Sequence, residues 1–237
     1  MVDRSGVTGG RDATAAVAFG QARPARIVDH PSLVSRLLGR VPYDQAYADM
    51  RRFTATRNAA TPDELWLLEH PPVYTVGQAG RLEHLLRATA VPVARVDRGG
   101  QITFHGPGQL VAYALLDLRR RSLTGRRLVA ALEQAVIDLL ADYGIVGERR
   151  PGAPGVYVAG AKIAALGLRV RTGCSYHGLA LNVAMDLAPF RDIDPCGYAG
   201  LDVTQLADLG VALGVSDVAE PLAARVAAAL RTSGPKA

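Results

Sequence analysis

Residues 155–170 read GVYVAGAKIAALGLRV, and the rest of the chain is organised around this segment. Its two apolar runs, Gly155 to Val158 and Lys162 to Val170, have the length and composition of β-strands. A third run of the same kind, His177 to Met185, follows a few residues later. These three runs predict neighbouring strands, and one of them begins with an unusual side chain, Lys162.

Lys162 is unusual because this chain otherwise uses arginine as its basic residue. The chain has 27 lysine and arginine residues, of which only Lys162 and Lys236 are lysines, and Lys236 lies in the C-terminal tail. Lysine carries a compact ammonium group whose pKa changes readily on burial, whereas arginine stays charged. Strand alternation puts Lys162 on the more apolar face, with Ala164 and Leu166. Lys162 is therefore a candidate for proton transfer, although a strand-end lysine reaching solvent fits the same pattern.

Cys196 is the second candidate for chemistry. It stands between Pro195 and Gly197, two residue types that favour a turn over a packed strand or helix. A cysteine in a turn is accessible to a reactant, and its thiolate is a nucleophile. The alternative role is that of a small buried hydrophobic residue, and the residues alone do not decide between the two.

Composition and charge narrow the class of protein. The chain has 237 residues, 49% of them hydrophobic and 21% charged, as expected for one globular domain or at most two. We find no run of membrane-spanning length, no secretory signal and no zinc-site spacing, and we expect a cytoplasmic protein without a metal. The net charge of +5 is compatible with an acidic partner. The densest basic cluster, Arg119 to Arg121, has no interleaved aromatic residues, and we interpret it as a solvated loop.

The remaining segments predict an α+β fold. Residues 1–24 lack hydrophobic periodicity and are expected to form a disordered extension that precedes a single domain at residues 25–232. The predicted helices are Tyr43 to Arg52, Arg127 to Tyr143, a short one at Val203 to Leu209, and Val218 to Arg231, which has Pro221 in its first turn. The further predicted strands are Glu64 to Glu69, Val73 to Val76, Val91 to Val96 and Leu110 to Leu118, the last buried on both faces. Strands mixed with separated helices indicate α+β rather than a regular βαβ alternation.

Two segments have the composition of a ligand site. Residues 98–109 read RGGQITFHGPGQ, in which the glycines allow a backbone to approach a ligand and Arg98 and His105 supply a fixed charge and a titratable donor. This segment has neither the spacing of a Walker loop nor GxGxxG, and two tight hairpin turns would have the same composition. On the strand that begins at His177, one face carries mostly small side chains. That face leaves room for a chain-like ligand or for close sheet packing.

Several segments of the sequence resemble motifs of the octanoyltransferases of lipoate biosynthesis, the lipoyl(octanoyl) transferases. They are HPPVYTVG at 70–77, RGGQITFHGPGQLVAY at 98–113, GVYV and KIAALGLRV within 155–170, HGLALNV at 177–183 and PCGYAGLDVTQL at 195–206. The motifs occur in the order found in the family and cover roughly residues 43–206. The resemblance implies mixed β-sheets flanked by helices, similar to the catalytic domain of biotin and lipoate protein ligases.

The same resemblance implies a reaction and the residues that carry it. An octanoyl group passes from octanoyl-acyl carrier protein to a lysine of a lipoyl domain, through a thioester on cysteine. By position, Cys196 matches the cysteine that accepts the acyl group, and Lys162 matches the lysine that assists it. The positions that match the acyl site are Arg98, Gly99, Gly100, Gln101, Ile102, Thr103, Phe104, His105, Ala165, Leu166, Gly167, Gly178, Leu179 and Ala180.

The resemblance also implies the partners of the reaction. The acceptors are the lipoyl domains of 2-oxoacid dehydrogenase E2 subunits and the glycine cleavage H protein. No cofactor, metal, nucleic acid or membrane is implied.

Two other functions fit parts of the sequence. An ATP-dependent lipoate or biotin protein ligase would share the fold, a lysine and a glycine-rich loop, but it would not need a nucleophilic thiol at Cys196. An arginine-rich regulator that binds nucleic acid would leave both Lys162 and Cys196 unexplained. A requirement for ATP would identify the first function, and salt-dependent binding of DNA would identify the second.

Overall fold

Two β-sheets and three α-helices form the part of the chain that the computed structural model describes, residues 26–30, 33–194 and 202–232. The expected N-terminal extension, residues 1–24, and Cys196 lie outside the described residues. The helices are α1 (Tyr43–Thr56), α2 (Gly125–Asp142) and α3 (Val215–Thr232). The strands are β1 (Arg26–His30), β2 (Leu33–Arg40), β3 (Glu64–Glu69), β4 (Val73–Val76), β5 (Val93–Arg95), β6 (Ile102–His105), β7 (Gln109–Leu115), β8 (Glu148–Arg150), β9 (Ala153–Val158), β10 (Ala161–Arg171) and β11 (Cys174–Asn182).

The larger sheet has eight strands in the order β1-β2-β3-β7-β11-β10-β9-β8. Its neighbours are antiparallel, except that β2 and β3 run parallel. The smaller sheet has the order β5-β4-β6 and also mixes one parallel with one antiparallel pair. Mixed sheets with separate helices confirm the predicted α+β class.

Helices cover both faces of the larger sheet. Leu132 of α2 and Val226 of α3 pack in one hydrophobic cluster with Leu110 of β7. On the opposite face, Met50 of α1 packs with Trp66 of β3. Every residue of β7 is buried, which confirms the prediction that this strand is covered on both sides.

Helix α2 begins at Gly125, two residues before the predicted Arg127, and ends at Asp142, one residue before the predicted Tyr143. The Thr124 hydroxyl accepts a hydrogen bond from the backbone N–H of Arg127, which satisfies a donor that the first turn leaves free. After the helix, Gly144 adopts φ +73°, a left-handed conformation that glycine allows without strain.

Helix α3 begins earlier than predicted, and Pro221 therefore lies inside it rather than in its first turn. The Asp217 carboxylate accepts the backbone N–H of Gly214, and Val215 packs against the core. These contacts extend the helix by one turn ahead of the apolar stripe from which the prediction was made.

The arginine cluster is not the solvated loop that composition suggested. Arg120 and Arg121 both bind the Asp63 carboxylate, which is 2% exposed and also binds Arg57. Burial alone would raise the pKa of Asp63, but the Asp117 backbone N–H and these guanidinium groups lower it below its usual value. Asp63 is distant in sequence, so the local pattern around Arg119 to Arg121 contained no sign of it.

Several other boundaries differ from the predictions. Strands β1, β2, β6 and β8 were not predicted, and the strand expected at Val91 to Val96 is reduced to Val93–Arg95. The short helix expected at Val203 to Leu209 is a single 3-10 turn at Ala207–Leu209. Val203 instead forms a parallel β-bridge with Lys162, because the backbone there completes the ladder of β10.

Candidate active site

A β-bulge in β10 sets the direction of Lys162. Lys162 pairs with Tyr157 of β9, and Ala164 pairs with the adjacent Val156, so Ile163 is an extra residue in β10. Ala164 packs in the core with Val156, whereas Lys162 lines a cavity together with Ala165. The expectation that Lys162 and Ala164 share a face is therefore wrong, because the bulge interrupts the alternation on which it was based.

The Lys162 side chain lies across the backbone of β9. Its Nζ is 3.4 Å from the carbonyl oxygen of Pro154 and 5.2 Å from the centre of the Tyr157 ring. A Cβ atom at Gly155 would stand 3.1 Å from Lys162 Cε, so glycine there leaves room for the lysine stem. Lys162 is half-buried, and within the described ranges no carboxylate forms an ion pair with it.

The segment that follows Cys196 in the chain pairs with Lys162. The Lys162 backbone N–H donates to the carbonyl oxygen of Asp202 at 2.8 Å, and the Thr204 N–H donates to that of Lys162 at 3.0 Å. Residues 202–204 thus extend the sheet on one side of the lysine. Cys196 itself lies outside the described residues.

A cavity of about 460 Å³ extends from Lys162 along β10 and β11. All the residues that matched the acyl site line it except Phe104. Phe104 instead packs with Tyr74 and Phe190, with ring centres 5.2 Å and 5.7 Å away. The volume and the mostly apolar lining are typical of a small-molecule site.

Small residues in β10 allow the Arg98 loop to cover the cavity. A Cβ atom at Gly167 would lie 2.8 Å from the Gly99 carbonyl oxygen and 3.1 Å from Arg98 Cδ. The Gly99 N–H donates to the carbonyl oxygen of Leu168 at 2.8 Å. The loop is therefore attached to β10 by its backbone, and Arg98 crosses directly over a glycine.

Arg98 is only 8% exposed and donates several hydrogen bonds to Thr75 of β4. Its guanidinium is 2.7 Å from the Thr75 carbonyl oxygen and 2.8 Å from Thr75 Oγ1. It also donates to the carbonyl oxygen of Gly99 at 3.0 Å. These bonds join the small sheet to the loop that covers the cavity.

His105 and His70 are neutral groups near the same end of the cavity. Burial, together with the nearby His70 and Arg98, lowers the pKa of His105 to about 3, and the hydrogen bond that His105 donates to Gln109 opposes this shift. Burial also lowers the pKa of His70 to about 4. His70 Nε2 is 2.6 Å from the hydroxyl of Tyr113, which lines the cavity.

An aspartate–histidine pair at this end was missed by the sequence reasoning. Asp97 lies 3.0 Å from His177 Nε2 and accepts a hydrogen bond from the Tyr176 hydroxyl. Burial raises the pKa of Asp97, but hydrogen bonds from His177, Tyr176 and Tyr47 outweigh it and hold the pKa well below its usual value. His177 has φ +60°, a strained conformation for a non-glycine residue. Nothing in the sequence near either residue indicated the contact, because 80 positions separate them.

The described residues contain neither a metal-binding cluster nor a membrane-spanning helix. No group of three or more histidine, cysteine, aspartate or glutamate side chains in residues 26–30, 33–194 and 202–232 is arranged to hold a metal ion. In the same part of the chain, no helix is both long and apolar enough to cross a membrane. Cys174, the cysteine that the structure describes, is buried and has a free thiol.

Comparisons with known structures agree with this architecture. A crystal structure of lipoate-protein ligase A bound with ATP superposes with a TM-score of 0.68 at 16% identity, covering 83% of this chain and 85% of that one. The biotin protein ligase from Aquifex aeolicus, in complex with biotin and ATP, superposes with a TM-score of 0.52 at 13% identity, covering 88% and 74% of the two chains. At such identities the likeness establishes the fold, and it confirms the expected catalytic-domain architecture.

Sequence comparisons find relatives with much higher identity to this chain. Residues 42–227 match the family described as the lipoyl protein ligase A/B catalytic domain. An octanoyltransferase from Azoarcus sp. (strain BH72) is 65% identical over 209 residues, which are 88% of this chain and 92% of that protein. An octanoyltransferase from Dechloromonas aromatica (strain RCB) is 60% identical over 192 residues, covering 81% and 93%. The chain therefore belongs to the octanoyltransferase family, a family of transferase enzymes.

Proposed function

We propose that this protein transfers an octanoyl group from octanoyl-acyl carrier protein to a lysine of a lipoyl domain, through a thioester on Cys196. The proposed acceptors are lipoyl domains of 2-oxoacid dehydrogenase E2 subunits and the glycine cleavage H protein. The observation that carries the proposal is the arrangement around Lys162. A half-buried ammonium stands at one end of an apolar cavity, and its backbone pairs with the segment that leaves Cys196.

In the first half-reaction, the Cys196 thiolate attacks the carbonyl carbon of the octanoyl thioester. A new carbon–sulfur bond forms, the bond from the carbonyl carbon to the carrier protein's sulfur breaks, and the leaving thiolate takes the proton of the Lys162 ammonium, which leaves Lys162 neutral. A free cysteine has a pKa of about 8.5, so a nearby cation is needed to hold the thiolate at neutral pH. Lys162 is the proposed cation, and the two groups then titrate as a coupled pair.

In the second half-reaction, the amine of the acceptor lysine attacks the acyl-Cys196 thioester. An amide forms, the carbon–sulfur bond breaks, and Cys196 leaves as the thiolate. The attacking amine must lose a proton, and neutral Lys162 is the proposed acceptor of that proton. The cycle is balanced without an oxidant, a reductant or ATP, because the thioester supplies the driving force.

The cavity suits the acyl chain better than a nucleotide. The face formed by Ala165, Gly167 and Ala180 has no side chain longer than a methyl group, and it leaves a smooth path for a methylene chain. Burial of each methylene would contribute roughly 0.8 kcal/mol. The chain's net charge of +5 supports docking of an acidic carrier protein. A free, reactive thiol also requires a reducing compartment, and we propose the cytoplasm.

Mass spectrometry of the intact protein provides the test. After mixing with octanoyl-acyl carrier protein in the absence of ATP, we expect an octanoyl adduct that maps to Cys196. Cys196→Ala should form no adduct and lose transfer completely, whereas Cys174→Ala should retain both, because Cys174 is a buried residue of β11.

The outcomes separate the candidate functions. Activity that requires ATP and survives Cys196→Ala would identify a ligase instead. Equal losses from the two cysteine substitutions would reject the assignment of Cys196. Thermal unfolding of both variants checks that neither loss is due to an altered fold.

A further inference from the structure

A chain of side-chain hydrogen bonds crosses the covered end of the cavity. Thr75 Oγ1 accepts from Arg98 and lies 3.3 Å from His105 Nε2. His105 Nδ1 lies 2.7 Å from Gln109 Oε1. Because an amide oxygen only accepts, His105 carries its proton on Nδ1, and Nε2 is left to accept from the threonine hydroxyl. In each hydrogen bond of this chain, the donor is therefore the group nearer to Arg98.

Asn182 continues the chain beyond Gln109. Its Oδ1 accepts from Gln109 Nε2 at 2.9 Å, and its Nδ2 donates to the backbone carbonyl oxygen of Thr204 at 3.0 Å. Its own backbone carbonyl accepts from the N–H of Leu206 at 3.2 Å. Asn182 is 5% exposed and lines the cavity at the end of β11. It thus holds residues 204–206 through both its side chain and its backbone.

The same segment is held from the other side by Lys162. Thr204 donates its N–H to the Lys162 carbonyl oxygen and presents its own carbonyl to Asn182. Val203, the residue between Asp202 and Thr204, forms the parallel β-bridge with Lys162. Strands β10 and β11 therefore both hold residues 202–204, the first through the backbone of Lys162 and the second through the carboxamide of Asn182.

We infer that Asn182 is a positioning residue: its carboxamide holds residues 202–204, which follow Cys196 in the chain, against Lys162, and the reactivity of the cysteine depends on this contact. The inference rests on the proposed function of Cys196 and Lys162. A carboxamide is required because the site needs an acceptor for Gln109 and a donor for Thr204 on one short side chain. Misplacement of a reacting group by about 1 Å costs on the order of 100-fold in rate.

The test uses Asn182→Leu, which keeps the branched shape of the side chain, adds no charge and removes both side-chain hydrogen bonds. A matched control is Ser175→Ala on the same strand. Ser175 is fully buried, and its hydroxyl donates to the carbonyl oxygen of Ala114 at 2.8 Å. It lies near the start of β11, whereas Asn182 is the last residue of that strand. Alkylation of Cys196 by iodoacetamide, measured against pH, reports the thiolate without any substrate. Hydrogen exchange measures how strongly the backbone amide of Thr204 is protected.

We expect the thiol pKa of Cys196 to rise in Asn182→Leu, with alkylation at pH 7 about tenfold slower, which corresponds to about one pKa unit. The Thr204 amide should exchange faster while the amides of the β10–β11 ladder stay protected. The kcat for transfer should fall about 100-fold, with a smaller change in KM for the carrier protein. Ser175→Ala should lose stability but keep the parental pH profile.

Two results would overturn the inference. One is a folded Asn182→Leu that alkylates and transfers like the parent, and the other is an equal change in alkylation by Ser175→Ala. If Asn182→Leu does not fold, Asn182→Ala is measured against the same criteria. Failure of the proposed function would give a different result. The parent protein would then form no octanoyl adduct, even though its alkylation profile still depended on Asn182.

Discussion

The two ends of the cavity are built in different ways. At the Lys162 end, the side chain has few partners, and its position depends on backbone pairing with β9 and residues 202–204. At the Arg98 end, buried side chains form several hydrogen bonds each, and the histidines are neutral. The side chains at the Arg98 end, the proposed binding end, are thus fixed by hydrogen bonds, whereas Lys162, at the proposed chemical end, is held mainly through its backbone.

The largest effect should come from Lys162. In Lys162→Ala, the thiol pKa of Cys196 should rise towards about 8.5, and transfer should fall by at least about 100-fold. Lys162→Arg keeps a positive charge but cannot accept a proton, so alkylation at neutral pH should survive better than turnover. The pH dependence of iodoacetamide alkylation, compared with kcat, measures both. Parental alkylation in a folded Lys162→Ala would show that the lysine positions the substrate rather than stabilising a thiolate.

The opposite end is tested by Gly167→Ala, which should affect binding rather than chemistry. The new methyl group would meet the Gly99 carbonyl oxygen at 2.8 Å and push against Arg98. Crowding of this kind costs roughly 1–3 kcal/mol, so we expect KM for the octanoyl donor to rise about tenfold. Cys196 alkylation should not change. A shift in the thiol pKa would mean that the two ends are coupled and would remove the distinction between them.

The smallest effect concerns the buried histidine. His105 has a folded-state pKa of about 3, lowered mainly by burial, against an ordinary value of 6.5, so the unfolded chain binds a proton that the folded protein excludes between these values. Its contribution to stability is complete above about pH 6.5 and is lost as the pH falls, by about 1.4 kcal/mol per pH unit. Urea unfolding between pH 7 and pH 5 measures this slope. His105→Gln should reduce it, and an unchanged slope would show that His105 is charged in the folded protein.

Sequence patterns predicted the three α-helices and most of the strands, but they missed β1, β2, β6 and β8 and gave no sign of the long-range contacts. The limits of β3 and β4 agree with the prediction because prolines separate them. Lys162 was identified as a candidate because lysine is rare in this chain, but the predicted direction of its side chain was wrong. The alternation of residues along a strand gives no sign of an extra residue such as Ile163.

Contacts such as Asp97 with His177, or Asp63 with Arg121, join residues that are remote in the chain. They arise only when the sheet assembles. Asn182 was quoted within a motif, yet its role depends on Gln109 and Thr204, neither of which is a sequence neighbour.

The extra residue in β10 makes the direction of Lys162 depend on how β10 pairs with β9. If the bulge were lost with Ile163 retained, regular alternation would put Lys162 on the face of Ala164 and turn its ammonium into the apolar layer beneath α2. An unpaired charge buried there would cost several kcal/mol, or the lysine would have to become neutral. Deleting Ile163 would instead remove the bulge and leave Lys162 on the cavity face, because the lysine would then directly precede the core residue Ala164. A single codon lost at position 163 should therefore preserve the direction of the lysine, whereas a one-residue slip in the pairing of β10 with β9 would exchange the cavity face of the strand for its packing face.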